Sequence, residues 1–184
     1  MKCNLTKQSN RLIALSLAMM LCMLAGCETT RRASPLVTEY DEQNTEAELD
    51  FWHGLAGEPV TTNNDAFHGL IEFDQGTDPH RTYEDRVAWL TDQGLLDPNF
   101  KGEADEAVTR GTVAPILMKM LEIDGGVTWR AVDGLNLDGL KPRYATRELV
   151  YLQIMRRGSD QQGLSGIQFV GLIGRAHDFN GRVP

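Results

Sequence analysis

Cysteine is almost absent from this chain of 184 residues: Cys3, Cys22 and Cys27 are all there is. The body beyond Cys27 can hold no disulfide staple and no thiolate metal site, so its stability must come from packing. Basic residues are also short, 18 against 26 acidic, for a formal charge of −8. A polyanion repels phosphate backbones, which argues against nucleic acid as a partner. No apolar run reaches the roughly 20 residues that span a bilayer. The four histidines, His53, His68, His80 and His177, share no metal-ligand spacing. His53 and His68 lie on expected helices beside aromatics, where a surface or core role is the simpler reading. No glycine loop precedes a lysine to cradle phosphate, and Ser165 stands at a helix start, where it caps rather than attacks. Carboxylates are scattered except at Glu103, Asp105 and Glu106, read as a solvated run with a calcium site as the alternative. No catalytic residue, metal site or cofactor is assigned, and the reading is non-enzymatic.

What the chain does have begins at Leu12. Lys2, Lys7 and Arg11 precede the apolar run Leu12–Ala25, which ends in Leu24-Ala25-Gly26-Cys27. A basic start and a short apolar core read as a signal peptide. The closing four residues resemble the lipobox of bacterial lipoproteins. That resemblance implies cleavage between Gly26 and Cys27, with a diacylglycerol on the Cys27 sulfur. Residues 1–26 would be removed, taking three basic residues and no acid, so the charge moves from −8 to −11. Attachment would then come from acyl chains rather than charge.

Residues 27–44 read as a flexible tether, because Arg31, Arg32, Ser34 and Pro35 offer little to bury. The remainder, 45–184, is expected to be all-α. A first helix over Thr45–Leu55 puts Leu49, Trp52 and Leu55 on one face. A second, Asn64–Phe73, is capped by Asn64 or Asp65 and buries Phe67, Leu70 and Ile71. Asp74–Arg81 is loop. Thr82 caps a third helix carrying Tyr83, Val87 and Leu90, and Gly94 closes it. Asp97–Ala107 is a charged loop around Phe100. Thr109 opens the best-marked helix, with Val113, Ile116, Leu117, Met120 and Leu121 in a stripe. Pro115 bends that helix if Thr109 is the cap, and sits harmlessly in its first turn if Thr112 is. Val127–Arg143 is a long connection in which Val127, Trp129 and Ala131 could alternate as a short strand. Thr146 caps the next helix, which ends at Arg156-Arg157-Gly158. Ser165 to about His177 is the last.

Two helix–loop–helix units can be laid over each other, Tyr83–Ile123 and Thr146–His177. Ala88-Trp89-Leu90 before Gln93-Gly94-Leu95 matches Val150-Tyr151-Leu152 before Arg156-Arg157-Gly158. Thr109-Arg110-Gly111-Thr112 matches Ser165-Gly166-Ile167-Gln168. Trp89-Leu90, Gly94-Leu95-Leu96, Phe100 and Thr109-Arg110 together resemble the S-layer homology (SLH) family. This chain departs from it in having Lys101 where proline usually follows the phenylalanine, Ser165-Gly166 for Thr-Arg, and two units where three are usual.

The resemblance implies a small bundle of paired helical units that holds proteins to the cell wall by binding wall glycan. It also implies that Arg110, beside Thr109, contacts an anionic sugar. Trp129 next to Arg130 is an aromatic–cation pair suited to sugars. The expected function is therefore a lipid-anchored envelope adaptor, on a periplasmic or outer-membrane face. Its partners would be the membrane through Cys27 and a wall polysaccharide or envelope protein. A helical protein-interaction module without glycan binding is the alternative, and an envelope hydrolase a third.

Overall fold

The computed structural model describes residues 30–32, 36, 45–135, 137 and 139–180. Gly26, Cys27 and the leader lie outside them. Among the described residues seven helices run in order: α1 Thr45–Gly57, α2 Asn63–Gln75, α3 Tyr83–Asp92, α4 Arg110–Met120, α5 Val127–Gly134, α6 Lys141–Tyr151 and α7 Gly166–Asn180. Among the described residues there is no strand, only isolated bridges, and the domain is all-α. No described helix is long and apolar enough to cross a membrane.

Three backbone hydrogen bonds organise these helices into a closed ring. Thr61 N–H donates to the Leu164 carbonyl at 2.8 Å, Leu164 N–H to Val108 at 3.1 Å, and Val108 N–H to Thr61 at 2.9 Å. Each ring residue is buried and precedes a hydroxyl residue, Thr62, Thr109 or Ser165, at the start of α2, α4 or α7. The first amide of each helix, which its own helix cannot satisfy, donates outward: Asn63 to Glu106 at 2.8 Å, Arg110 to Gln162 at 3.0 Å, Gly166 to Glu58 at 3.0 Å. Three chain segments thus enter helices in the same way.

Helix α2 is the centre, buried along Asn63–Glu72. It packs on α3, α4 and α7, while α1 packs on α7 and α4 on α6. Gly69 lets this happen, because a Cβ there would lie 2.8 Å from the Trp52 ring and 3.1 Å from Phe169. Trp52 stacks on Phe169 with centroids 6.4 Å apart.

Several expectations change. Thr62, not Asn64 or Asp65, caps α2, its hydroxyl accepting from Asp65 N–H at 3.1 Å. Among the described side chains of α1, Leu55 is buried and Trp52 packs on the core as expected, but Leu49 is 55% exposed and Phe51 is buried in its stead, because the face is set by docking on α7. Thr109 caps α4, its hydroxyl accepting from Thr112 N–H, so Pro115 lies inside the helix. The short strand is instead α5. Its Trp129 and Val132 are buried at the i, i+3 spacing of one helix face. Helix α6 starts at Lys141, with Pro142 in its first turn, where proline's missing N–H costs nothing. Thr146 is internal and donates back to the Pro142 carbonyl at 2.8 Å. Arg156-Arg157-Gly158 does not close α6. The left-handed residue is Gln153, φ 62°, and the register of the two units shifts accordingly, so that Leu149 rather than Leu152 answers to Leu90.

Candidate functional site

The N-terminus of α4 carries the strongest candidate. Arg110 is only 3% exposed, although it opens a helix and, among the described residues, no carboxylate pairs with it. Its Nη1 donates to the Arg157 carbonyl at 3.4 Å, while Nε and Nη2 are buried and make no hydrogen bond. Burial lowers its pKa from the usual value, since the charge has lost its water. The guanidinium sits under the turn that carries Gly158 and Gln162, and a Cβ at Gly158 would strike Arg110 Nη1. Thr109 holds the helix start in place as its cap.

On the other flank of the same helix start lies a cavity of about 780 Å³. Asp97, Phe100, Thr109, Thr112, Pro115, Lys119, Lys141 and Gln161 are among the residues lining it. Arg110 does not line this cavity. Lys119 donates to the Gly94 carbonyl, and Lys141 lies 3.6 Å from Asp133.

Trp129 and Arg130 do not join this site. They line a separate cavity of about 570 Å³ with Lys119, Glu122 and Asp133, beyond the C-terminal end of α4. Trp129 is 5% exposed and presses its indole against Gly125, which adopts φ +62° and has no room there for a Cβ. Its ring is a core element. Arg130 is exposed and pairs with Asp124 at 3.2 Å.

A buried polar cluster had no motif to announce it. Asp78, in the α2–α3 loop, has both oxygens occupied. Oδ1 accepts from His80 N–H at 3.0 Å and His80 Nδ1 at 2.9 Å; Oδ2 accepts from His68 Nδ1 at 2.7 Å and from Arg86 Nε. Because a carboxylate only accepts, each Nδ1 carries its proton. Burial works to raise Asp78, but His68 and Arg86 outweigh it and hold its pKa at about 2. Arg86, 1% exposed, also reaches Asn64 Oδ1 at 2.8 Å and the His80 carbonyl at 2.7 Å. Glu72 lies 3.8 Å from His68 Nε2, and burial together with Glu48 pushes its pKa up to about 8. With its oxygens saturated, Asp78 fastens the loop to α2 and α3. The one sequence sign of it was Arg86, which falls between Tyr83 and Leu90 on the apolar side of α3. Among the described residues no group of three or more His, Cys, Asp or Glu is placed to hold a metal.

The chain matches no family model, no curated protein and no solved structure. What it binds has to be argued from its own residues.

Proposed function

We propose that this chain is a non-enzymatic, lipid-anchored envelope protein whose helical domain grips an anionic wall polymer. The observation that carries the reading is the Arg110 guanidinium, buried with two nitrogens unused and, among the described residues, no carboxylate paired to it. Such donors are costly to leave unmet, by about 1–3 kcal/mol, and a carboxylate of an acidic sugar would satisfy both in a bidentate pair. The covering turn at Gly158 must lift for that contact to form. The leader and the Leu24–Cys27 pattern support attachment at Cys27. The three ring-entering helices support an SLH-like reading with a further unit at Thr61-Thr62-Asn63, where the sequence alone suggested two units.

The test is co-sedimentation of the full-length protein with purified wall polymer. Native protein should pellet, and Arg110→Ala should lose at least ten-fold in affinity while Arg110→Lys keeps part of it. Equal binding by native and Arg110→Ala removes the proposed contact. A second reading, docking on an envelope protein, draws on Leu135, Leu137, Leu140 and Tyr151, all exposed; such apolar surface marks interaction sites. Release of soluble fragments from the wall polymer would instead establish a hydrolase.

A further inference from the structure

The segment expected to be a free tether is fastened to the body where it is described. Arg31 pairs antiparallel with Glu106; Ala107 N–H donates to the Thr30 carbonyl at 2.8 Å and Arg32 N–H to Asp105 at 3.0 Å. The Arg31 guanidinium reaches three carboxylates, Glu103 at 2.5 Å, Asp105 at 2.9 Å and Glu106 at 2.9 Å. The Arg32 side chain is 13% exposed and ion-pairs with the fully buried Asp65. It also lies 3.4 Å from Glu58 and donates to the Val60 carbonyl at 3.0 Å. Leu36 N–H closes the segment on Asp65 Oδ1 at 3.0 Å. Asp65 accepts from the Thr62 hydroxyl as well, at 2.7 Å, so the segment is tied to the ring itself.

We propose that residues 30–32, with Leu36, are a strap that holds the domain flush against a lipid bilayer, with the Glu103–Ala107 edge facing the headgroups. The proposal rests on the reading of Cys27 as the acylated residue. Thr30 is three chain steps from Cys27, so the anchored residue and the body stand at most about 11 Å apart while the strap is shut. That is little more than the depth of one headgroup layer, about 5–8 Å. Released, the body is no longer held to that distance from the anchored residue. The strap therefore sets whether the domain lies on the membrane or reaches away from it. Its Arg31 contacts are exposed and salt-sensitive, whereas Arg32–Asp65 is shielded. The edge keeps more carboxylates than Arg31 can neutralise, so the acyl chains, not charge, hold it to the lipid.

The strap carries its own reporter, because Arg31 and Arg32 are the only trypsin sites between Cys27 and Arg81. Cleavage there frees the body from its lipid. Full-length acylated protein in phosphatidylcholine vesicles should release slowly. A Glu103→Gln, Asp105→Asn, Glu106→Gln variant, which keeps both cut sites, should release at least ten-fold faster. Equal rates overturn the strap. Hydrogen exchange on the native vesicle-bound protein needs no variant: the amides of Arg32 and Ala107 should be protected, and exchange at the unstructured rate overturns the strap as well. The mass of the N-terminal fragment separates the two layers. A fragment without the lipid mass sinks the anchoring reading and the bilayer geometry with it; a lipidated fragment released at equal rates sinks the strap alone.

Discussion

Gly94 and Gln153 occupy the same left-handed position, φ 67° and 62°, just past α3 and α6. Over Gly94, the amides of Leu95 and Leu96 return to the Leu90 carbonyl at 2.8 and 3.0 Å; over Gln153, those of Ile154 and Met155 return to Leu149 at 2.9 and 3.0 Å. One turn uses the residue suited to this backbone and the other does not. Gln153→Gly should therefore stabilise the protein by about 1 kcal/mol, and Gly94→Ala should destabilise it by about 1–2 kcal/mol. Urea denaturation of the two variants checks both signs.

Removing the Asp78 charge should be among the most damaging single changes. Asp78→Asn leaves the buried Arg86 without its counter-ion and loosens His68 and His80. Breaking a buried pair in this way costs about 3–5 kcal/mol. The expected result is a much lower urea midpoint, with the loop around Asp78 the first region to exchange its amides.

The same cluster sets a pH dependence. Glu72 moves from 4.5 to about 8 on folding, so between those values the folded state holds the extra proton and stability falls as pH rises. Asp78 moves from 3.8 to about 2, so its contribution is full above 3.8 and is lost as pH falls through about 2. Together they place maximum stability near pH 4. Urea midpoints measured across pH 3–9 should decline on the alkaline side, and Glu72→Gln should flatten that decline.

Close approach at Gly166 gives a packing prediction. A Cβ there would collide with the Leu55 carbonyl oxygen, where α7 meets the end of α1. Gly166→Ala must push the two apart and should cost about 1–3 kcal/mol. Gly134→Ala, where a Cβ meets nothing within 4 Å, should cost none; chemical denaturation compares the two.

Arg110 should trade stability for binding. Arg110→Met keeps the volume and removes the unmet donors, so it should raise stability by about 1–3 kcal/mol while abolishing capture of wall polymer. A fall in stability would mean that the guanidinium is already satisfied.

Several features of this protein were fixed locally. Thr82 caps its helix and Gly94 turns left-handed because each needs only neighbours three to five residues away. The stripes of α2 and α4 follow from the helical period alone. Tertiary structure decided the rest, because the partners are distant or carry no side-chain signature. The ring of Thr61, Val108 and Leu164 is made of backbone groups, which every residue owns. Trp129 reads as part of a connection with a short strand until packing against α6 buries it with Val132 on a helix face. Arg31 and Arg32 looked solvated because their carboxylates, Glu103, Asp105 and Asp65, lie 33 to 74 residues further along the chain. Charges that far apart meet only after the chain has folded, and so the sequence could name the residues but not their pairing.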